Sequence, residues 1–518
     1  MANRSTFEPS PVLPLDSYNQ ALLDHVAPSD WQNPTPAACY DLVVIGAGTA
    51  GLVVAAGAAG LDLGLKVALI ERHLMGGDCL NVGCVPSKCV IQSARVVGQI
   101  RHSQSLGIDP LGPVVNFGRV MERMRQVRSG ISHHDSAQRF RGLGVDVFRG
   151  MGQFLGSGQV QVGEQVLTYK KAVIATGARA LQPEIPGLVE AGFLTNETVF
   201  NLTEAPKRLA VIGGGPIGCE LAQAFQNLGS QVVLLHRGSQ VLHKEDPDAA
   251  AIVQAHLQAD GIQVVLNSQV QGVAATPEGK VITYRSHDPS DDREQTVTVD
   301  EILVGAGRVP NLEGLNLEAV GVAYDRRGVQ VNDYLQTTNP NIYAAGDICM
   351  DWKFTHAADA AARIVLKNTL FSPLGLGRAK LSSLVMPWVT YTTPEVAHVG
   401  QDERELRQRG IEFKTIKIDF KQVDRALADG ETEGFVKIHY PAGSDQILGA
   451  TIVATHAGEM ISEITTAIVH KIGLSKLSTV IHPYPTQAEA IKKAADAYRR
   501  TLLTPKTKAF LKFLTRFA

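Results

Sequence analysis

The run DLVVIG (41–46) carries four apolar residues in succession with no polar alternation. That pattern predicts a strand buried on both faces, as in a parallel sheet. Glycines follow at 46, 48 and 51, then an alanine-rich helical stretch, then a second apolar run, KVALIER (66–72). The same order returns once, in RLAVIGGGPIGCELAQAFQNLGSQVVLLHR (208–237). Strand, glycine turn, helix and strand form the opening of a doubly wound nucleotide-binding unit. Two such units on one chain are therefore predicted. A helical region (about 84–140) and short strands (about 145–176) lie between them. From about 381 the period changes. Alternating strands (VTYT, FKTIKIDF, GFVKIHY, ILGATIVA) mix with helices (GEMISEITTAIVHKI, TQAEAIKKAADAYRR), which predicts an α+β unit.

The chain has 518 residues, too many for one hydrophobic core. Its 49 Lys and Arg nearly balance 51 Asp and Glu. That balance offers no strong field for nucleic acid or an anionic membrane. Residues 1–38 hold six prolines and little periodicity, and read as an extended arm. MANRSTFEPSPVLPLD lacks the apolar core of a secretory signal, so a reducing, cytoplasmic setting is expected. The stretch 42–61 runs twenty residues without a charge and is long enough to span a bilayer. Its glycine spacing assigns it instead to strand, turn and helix.

Gly46, Gly48 and Gly51 allow a tight turn and a helix N-terminus facing a pyrophosphate. Glu71 ends the second strand, placed to bind a ribose diol. Gly213, Gly215 and Gly218 repeat the spacing, but there the second strand ends in His236 and Arg237. A carboxylate would repel a 2′-phosphate and an arginine would pair with it, so NADP is favoured over NAD. The competing reading makes Arg237 a solvated loop residue.

Six cysteines in 518 residues is sparse, yet GGDCLNVGCVPSKCV (76–90) holds three of them. Cys79 and Cys84 are separated by four residues. They could form a static disulfide, half a metal site, or a pair that opens and closes in turnover. Beside two nucleotide sites, one for a flavin and one for a nicotinamide donor, the redox reading connects all three features. Cys84 at a helix start would have a lowered thiol pKa. Cys39, Cys89, Cys219 and Cys349 belong to no motif.

These motifs, with VIATGA (173–178), VGAGRVPN (304–311), IYAAGDI (342–348) and YTTPEVAHVG (391–400), resemble the flavoprotein disulfide reductases over about residues 39–500. That family includes glutathione reductase, lipoamide dehydrogenase and mercuric reductase. The resemblance implies FAD and NADPH as cofactors and a homodimer sharing its active site across the interface. It implies an N-terminal extension (1–38), FAD-binding segments at 39–180 and 304–380, an NADPH-binding domain at 181–303 and a dimerisation domain at 381–518. Cys84 matches the thiol in charge-transfer contact with the flavin, and Cys79 the thiol that meets the substrate. Lys88 and Glu220 match an ion pair near the reactive flavin edge. Asp347 matches the aspartate on the ribityl chain, and Thr176, Gly177 and Gly346 fall in the accompanying cofactor motifs.

One motif separates the branches. Disulfide reductases carry H-P-T-x-x-E, whose histidine is the acid/base for the partner subunit's thiols and whose glutamate orients it. This chain reads IHPYPTQAEA (481–490). Aligned on Thr486 and Glu489, Tyr484 stands in the histidine position and His482 is two residues early. A tyrosine there is similar to mercuric reductases, as is DRALADGETEGFVKI (424–438). Pro216 stands where glutathione reductase has a gating tyrosine. Residues 1–38 contain no C-x-x-C, and 503–518 no cysteine, so that branch's metal-capture devices are missing. The expectation is NADPH-driven reduction of a soft metal ion bound transiently by Cys79 and Cys84. The runner-up is an organic disulfide reductase using His482, and a third reading is a non-catalytic redox-sensing flavoprotein.

The segment after Asp496 holds six bases and no acid. Lys508, Lys512 and Arg516 share one helical face; Phe510, Leu511, Leu514 and Phe517 lie largely on another. Either the apolar stripe packs on the protein's own surface, including across the dimer, or the helix makes a weak peripheral contact with an anionic membrane.

Overall fold

The computed structural model describes residues 11–109, 112, 114–156, 158–286 and 293–517. The first fingerprint folds as strand Tyr40–Ile45, helix Thr49–Ala59 and strand Val67–Glu71. The charge-free run is thus strand, turn and helix. Among the described residues no helix is long and apolar enough to cross a membrane. The two strands pair in parallel, with Leu42 opposite Val67. Val145–Arg149 and Gln165–Ile174 flank them, also in parallel. Leu42, Val44 and Leu69 enter one core, while Val43, Ile45 and Ile70 enter another on the opposite face. Burial on both sides explains the unbroken apolar runs. Far along the chain, Ile342–Ala344 returns to this sheet beside Gln165–Ile174. It delivers Gly346 and Asp347 to the carboxyl ends of the strands, where ligands bind in such folds.

The second fingerprint gives strand Arg208–Ile212, helix Pro216–Asn227 and strand Gln231–Leu235. Gln263–Val265 and Glu301–Val304 complete a four-stranded parallel sheet. A five-stranded antiparallel sheet follows, running from Pro387–Thr390 to Gly449–Ala454 in sequence. Helices Ala457–Val469 and Glu489–Thr501 bury Ile461, Ile464, Ile491 and Tyr498 in its core. The fold is α/β: two doubly wound nucleotide-binding domains and an α+β dimerisation domain.

The N-terminal arm departs from expectation. Ser17–Val26 is a helix whose N-cap, Asp16, accepts from the Asn19 amide. Leu22 and Val26 are fully buried in the first domain. Arg125 Nε donates to Asp16 at 2.6 Å, and Arg128 Nη2 to Asn19 at 2.6 Å. The described prolines, 11, 14, 28, 34 and 36, flank this helix and leave its interior free, so proline content misread the segment. At the other end, helix Pro505–Leu514 buries none of its residues, so the expected packing on the protein itself is absent within the protomer.

Candidate active site

Cys79 lies in the short helix Gly77–Asn81, and Cys84 opens the long helix Cys84–His102. The loop is drawn against the first glycine turn at Gly77. A Cβ on Gly77, which has φ +55°, would stand 2.7 Å from the Gly48 Cα, so only glycine permits the approach. Asn81 Nδ2 fastens the loop by donating to the Met75 and Gly77 carbonyls at 3.0 and 2.9 Å.

Both cysteines are free thiols. The Cys84 thiol is lowered to about 6, chiefly by the hydrogen bond from Cys79, with further help from Thr355 and Lys88. Cys84 Sγ lies 3.4 Å from Thr355 Oγ1. Cys79 moves the other way: its bond to the Cys84 thiolate and its burial push it up. The pair is asymmetric, one stored thiolate and one protonated thiol. Helix placement anticipated the lowered member; the larger cause is its neighbour. Burial raises Cys89, Cys219 and Cys349, which leaves them unreactive.

Lys88 follows Cys84 by one helical turn. Its Nζ donates to Glu220 Oε2 at 2.8 Å, and Glu220 Oε1 accepts from the Tyr391 amide at 2.9 Å. The Lys88 ammonium also sits 4.4 Å from the Tyr391 ring centroid. Burial disfavours the ammonium, but Glu220 more than offsets it and the Lys88 pKa rises. The pair joins both nucleotide-binding domains next to the thiols, and Tyr391 ties in the third domain.

The cofactor residues fit a dinucleotide at each fingerprint. At the first, Glu71 Oε2 accepts from the Ala47 amide at 2.7 Å and Oε1 from the His73 amide at 2.7 Å. Gly46, Glu71, Thr176 and Asn311 line one cleft. Thr176 Oγ1 donates to the Asn311 carbonyl at 2.9 Å, and Gly177 turns with φ +67°. Asp347 is mostly buried, which raises its pKa against the opposing pull of Arg308, 3.3 Å away. At the second, Gly214 N donates to His236 Nδ1 at 3.1 Å. Around Gly215 there is open space, and Arg237 is exposed, with no ion pair among the described residues.

The C-terminal motif is rearranged relative to expectation. Glu489 does not orient Tyr484; the Tyr484 hydroxyl donates to Asp424 Oδ2 at 3.0 Å. That bond raises the pKa of an exposed phenol already near ~10. His482 is not free either. Its Nε2 faces Glu463 Oε1 at 3.0 Å and its Nδ1 faces the Val480 carbonyl at 3.3 Å, with the side chain 6% exposed. Neither Tyr484 nor His482 bonds to Cys79 or Cys84 within the described protomer.

Four residues with evident roles were not singled out from the sequence. Arg308 bonds Asp78 and the Ala178 carbonyl, the latter at 2.7 Å. Arg308 and Tyr391 lay inside quoted motifs without a chemical cue of their own. Thr355 and Glu463 lay in no motif, and only their contacts reveal them.

The pyridine nucleotide-disulphide oxidoreductase model matches residues 40–362, and its dimerisation-domain model matches 386–495. This chain belongs to that family. It is a flavin- and nicotinamide-dependent oxidoreductase that uses FAD and NAD(P)H, with a domain built for homodimerisation. Two kinds of relative stand at similar distance. The mercuric reductase of Staphylococcus aureus is 34% identical, over 88% of this chain and 82% of its own. The dihydrolipoyl dehydrogenase of Chlamydia trachomatis is 36% identical, over 88% and 96%. Among solved structures, the Cu(II) complex of the HOCl-induced flavoprotein disulfide reductase RclA from Escherichia coli superposes with a TM-score of 0.76. It is 27% identical and covers 87% of this chain and 98% of its own.

Proposed function

We propose that this chain reduces a soft metal ion, in the manner of a mercuric reductase, with Cys79 and Cys84 as the transient ligands. The observation that carries the reading is Tyr484 at the motif position where disulfide reductases hold their histidine, its hydroxyl committed to Asp424. Reduction of an organic disulfide needs a base that cycles a proton with the thiols. His482 has both ring nitrogens facing acceptors, and Tyr484 is a phenol with a raised pKa. A thiophilic cation needs no such base. It needs thiolates, and Cys84 supplies one at neutral pH while Cys79 releases its proton on binding. Arg237 selects the 2′-phosphate of NADPH. FAD, when bound, carries the electron pair between nicotinamide and the thiol site. Lys88, Glu220 and Tyr391 hold the intervening surfaces together. Val480 and Ile481 are exposed at 44% and 92% beside Tyr484, an apolar strip suited to the partner subunit. A structural neighbour, a flavoprotein disulfide reductase, is solved as a Cu(II) complex, which supports metal-ion binding on this fold.

The test is steady-state NADPH oxidation with a panel of acceptors: a Hg(II)–thiol complex, oxidised glutathione, lipoamide and a quinone. Turnover with Hg(II) and little with the disulfides is expected. Rapid turnover of a disulfide with none of Hg(II) would overturn the reading in favour of a disulfide reductase, to which the 36% identical dihydrolipoyl dehydrogenase points.

A further inference from the structure

Helix Pro505–Leu514 stands apart from the rest of the chain energetically. The helix before it, Glu489–Thr501, buries Ala490, Ile491, Ala494, Ala495 and Tyr498. Pro505–Leu514 buries nothing. Phe510, Leu511, Phe513, Leu514 and Phe517 remain 45–75% exposed. Its start is encoded locally: the Thr504 side chain accepts from the Thr507 amide at 3.2 Å, and Pro505 occupies the first turn. A helix of ten residues is marginal in water without a surface to cover its apolar face. Such a helix calls for a surface beyond the protomer.

The charge says what it is. Six of the chain's 49 basic residues, and none of its 51 acidic ones, lie in positions 499–518. Lys508, Lys512 and Arg516 recur at four-residue spacing on one flank of the apolar face. Like Lys506, they form no ion pair among the described residues. Phe513 and Phe517 meet edge to face at 5.0 Å and extend the stripe past the last turn. Pairing this helix with the same helix of a second copy would oppose like charges. The dimerisation-domain match, moreover, ends at residue 495, before the segment begins.

We propose that residues 503–517 form a peripheral membrane contact. The helix lies in the plane of an anionic lipid surface, with its phenyl rings at the acyl boundary and its bases among the phosphates. The chain as a whole carries −2, so attraction is confined to this segment and fixes how the protein approaches. One short helix binds weakly. A homodimer presents two, and the second engages at high effective concentration.

The experiment uses the full, flavin-loaded protein and co-sedimentation with vesicles of phosphatidylglycerol mixed with phosphatidylcholine. Binding is expected at low salt, with loss in high salt and little association with pure phosphatidylcholine. The exposed changes F510S/F513S and K508E/K512E should each lower the vesicle-bound fraction about tenfold while NADPH oxidation is unchanged. No pelleting of the unaltered protein with anionic vesicles would overturn the proposal. So would equal binding to neutral vesicles. Deletion of 503–518 distinguishes the remaining case: a dimer that dissociates in sedimentation analysis makes the helix a subunit contact and overturns the membrane role.

Discussion

The two glycine fingerprints share one backbone device and differ in one acceptor. In each, the third glycine stands where a Cβ would collide with the carbonyl oxygen of the first, Gly51 with Gly46 and Gly218 with Gly213. In each, a group ending the second strand accepts a hydrogen bond from the turn. At the first it is the Glu71 carboxylate, on the Ala47 amide; at the second it is the His236 imidazole, on the Gly214 amide. A carboxylate suits a ribose with a free diol. An imidazole beside an exposed Arg237 admits a phosphorylated one. The turn makes a dinucleotide site, and the acceptor at the strand end chooses the dinucleotide. The Cys79 and Cys84 pair belongs to the first unit alone, which under the proposed function makes that unit the exit for electrons.

That asymmetry is tested most severely at the cysteines. Cys84→Ser should cut metal-ion reduction by roughly a thousandfold or more and abolish the long-wavelength thiolate–flavin absorbance band. Cys79→Ser should keep the band and lose the reduction. In the unaltered two-electron-reduced protein the band should grow as pH rises through about 6, since a lowered thiol pKa means thiolate above that value. A band that titrates near the ordinary thiol value would contradict the assigned pair.

Cofactor choice comes second. The double change His236→Glu, Arg237→Ala installs the first unit's acceptor in the second. The kcat/KM ratio of NADPH to NADH should fall by about a hundredfold. A ratio that already favours NADH in the unaltered protein would remove the basis of the comparison.

The converse change is smaller. Glu71→Ala leaves the buried Ala47 amide without its acceptor, at about 1–3 kcal/mol. It should release FAD, read as a lower flavin-to-protein absorbance ratio and an earlier thermal transition. The corresponding His236→Ala should leave flavin content untouched.

Acid gives the smallest effect. Burial lowers the His236 pKa, with His243 and Arg237 acting in the same direction. A depressed imidazole contributes stability that is whole above its unfolded value of ~6.5 and is lost as pH falls through the folded one. The thermal transition should therefore drop between neutral pH and pH ~5 by a few degrees more than in His236→Gln, whose amide cannot be titrated. Identical slopes for the two proteins would show that the imidazole is not the acid-sensitive acceptor.

Local patterns carried much of this. The glycine spacing, the apolar runs and the residue closing each second strand lie within about thirty positions, so the nucleotide units are legible by eye. The spacing of Cys79 and Cys84 is legible for the same reason, whereas Lys88 is reached only through the family resemblance. What escaped reading depends on contacts between distant segments. Thr355 meets Cys84 across 271 positions, and Arg308 meets Asp78 across 230. Glu463 holds His482 from a neighbouring helix, so the motif that separates the family branches shows its state only in three dimensions. The N-terminal helix was hidden differently: prolines crowd its flanks, and composition averages over the ten residues that matter.

The Lys88–Glu220–Tyr391 junction has a consequence for protein engineering. Each of its members comes from a different domain, so the domains are not interchangeable cassettes. A chimera that imports another protein's nicotinamide-binding half must bring a carboxylate at position 220. Without it, Lys88 remains as an unpaired, half-buried cation one helical turn from the reactive thiolate. The Tyr391 amide would lose its acceptor in the same stroke. Recombination breakpoints on either side of residue 220 should therefore sort into functional and non-functional hybrids according to whether that one acid travels with the graft.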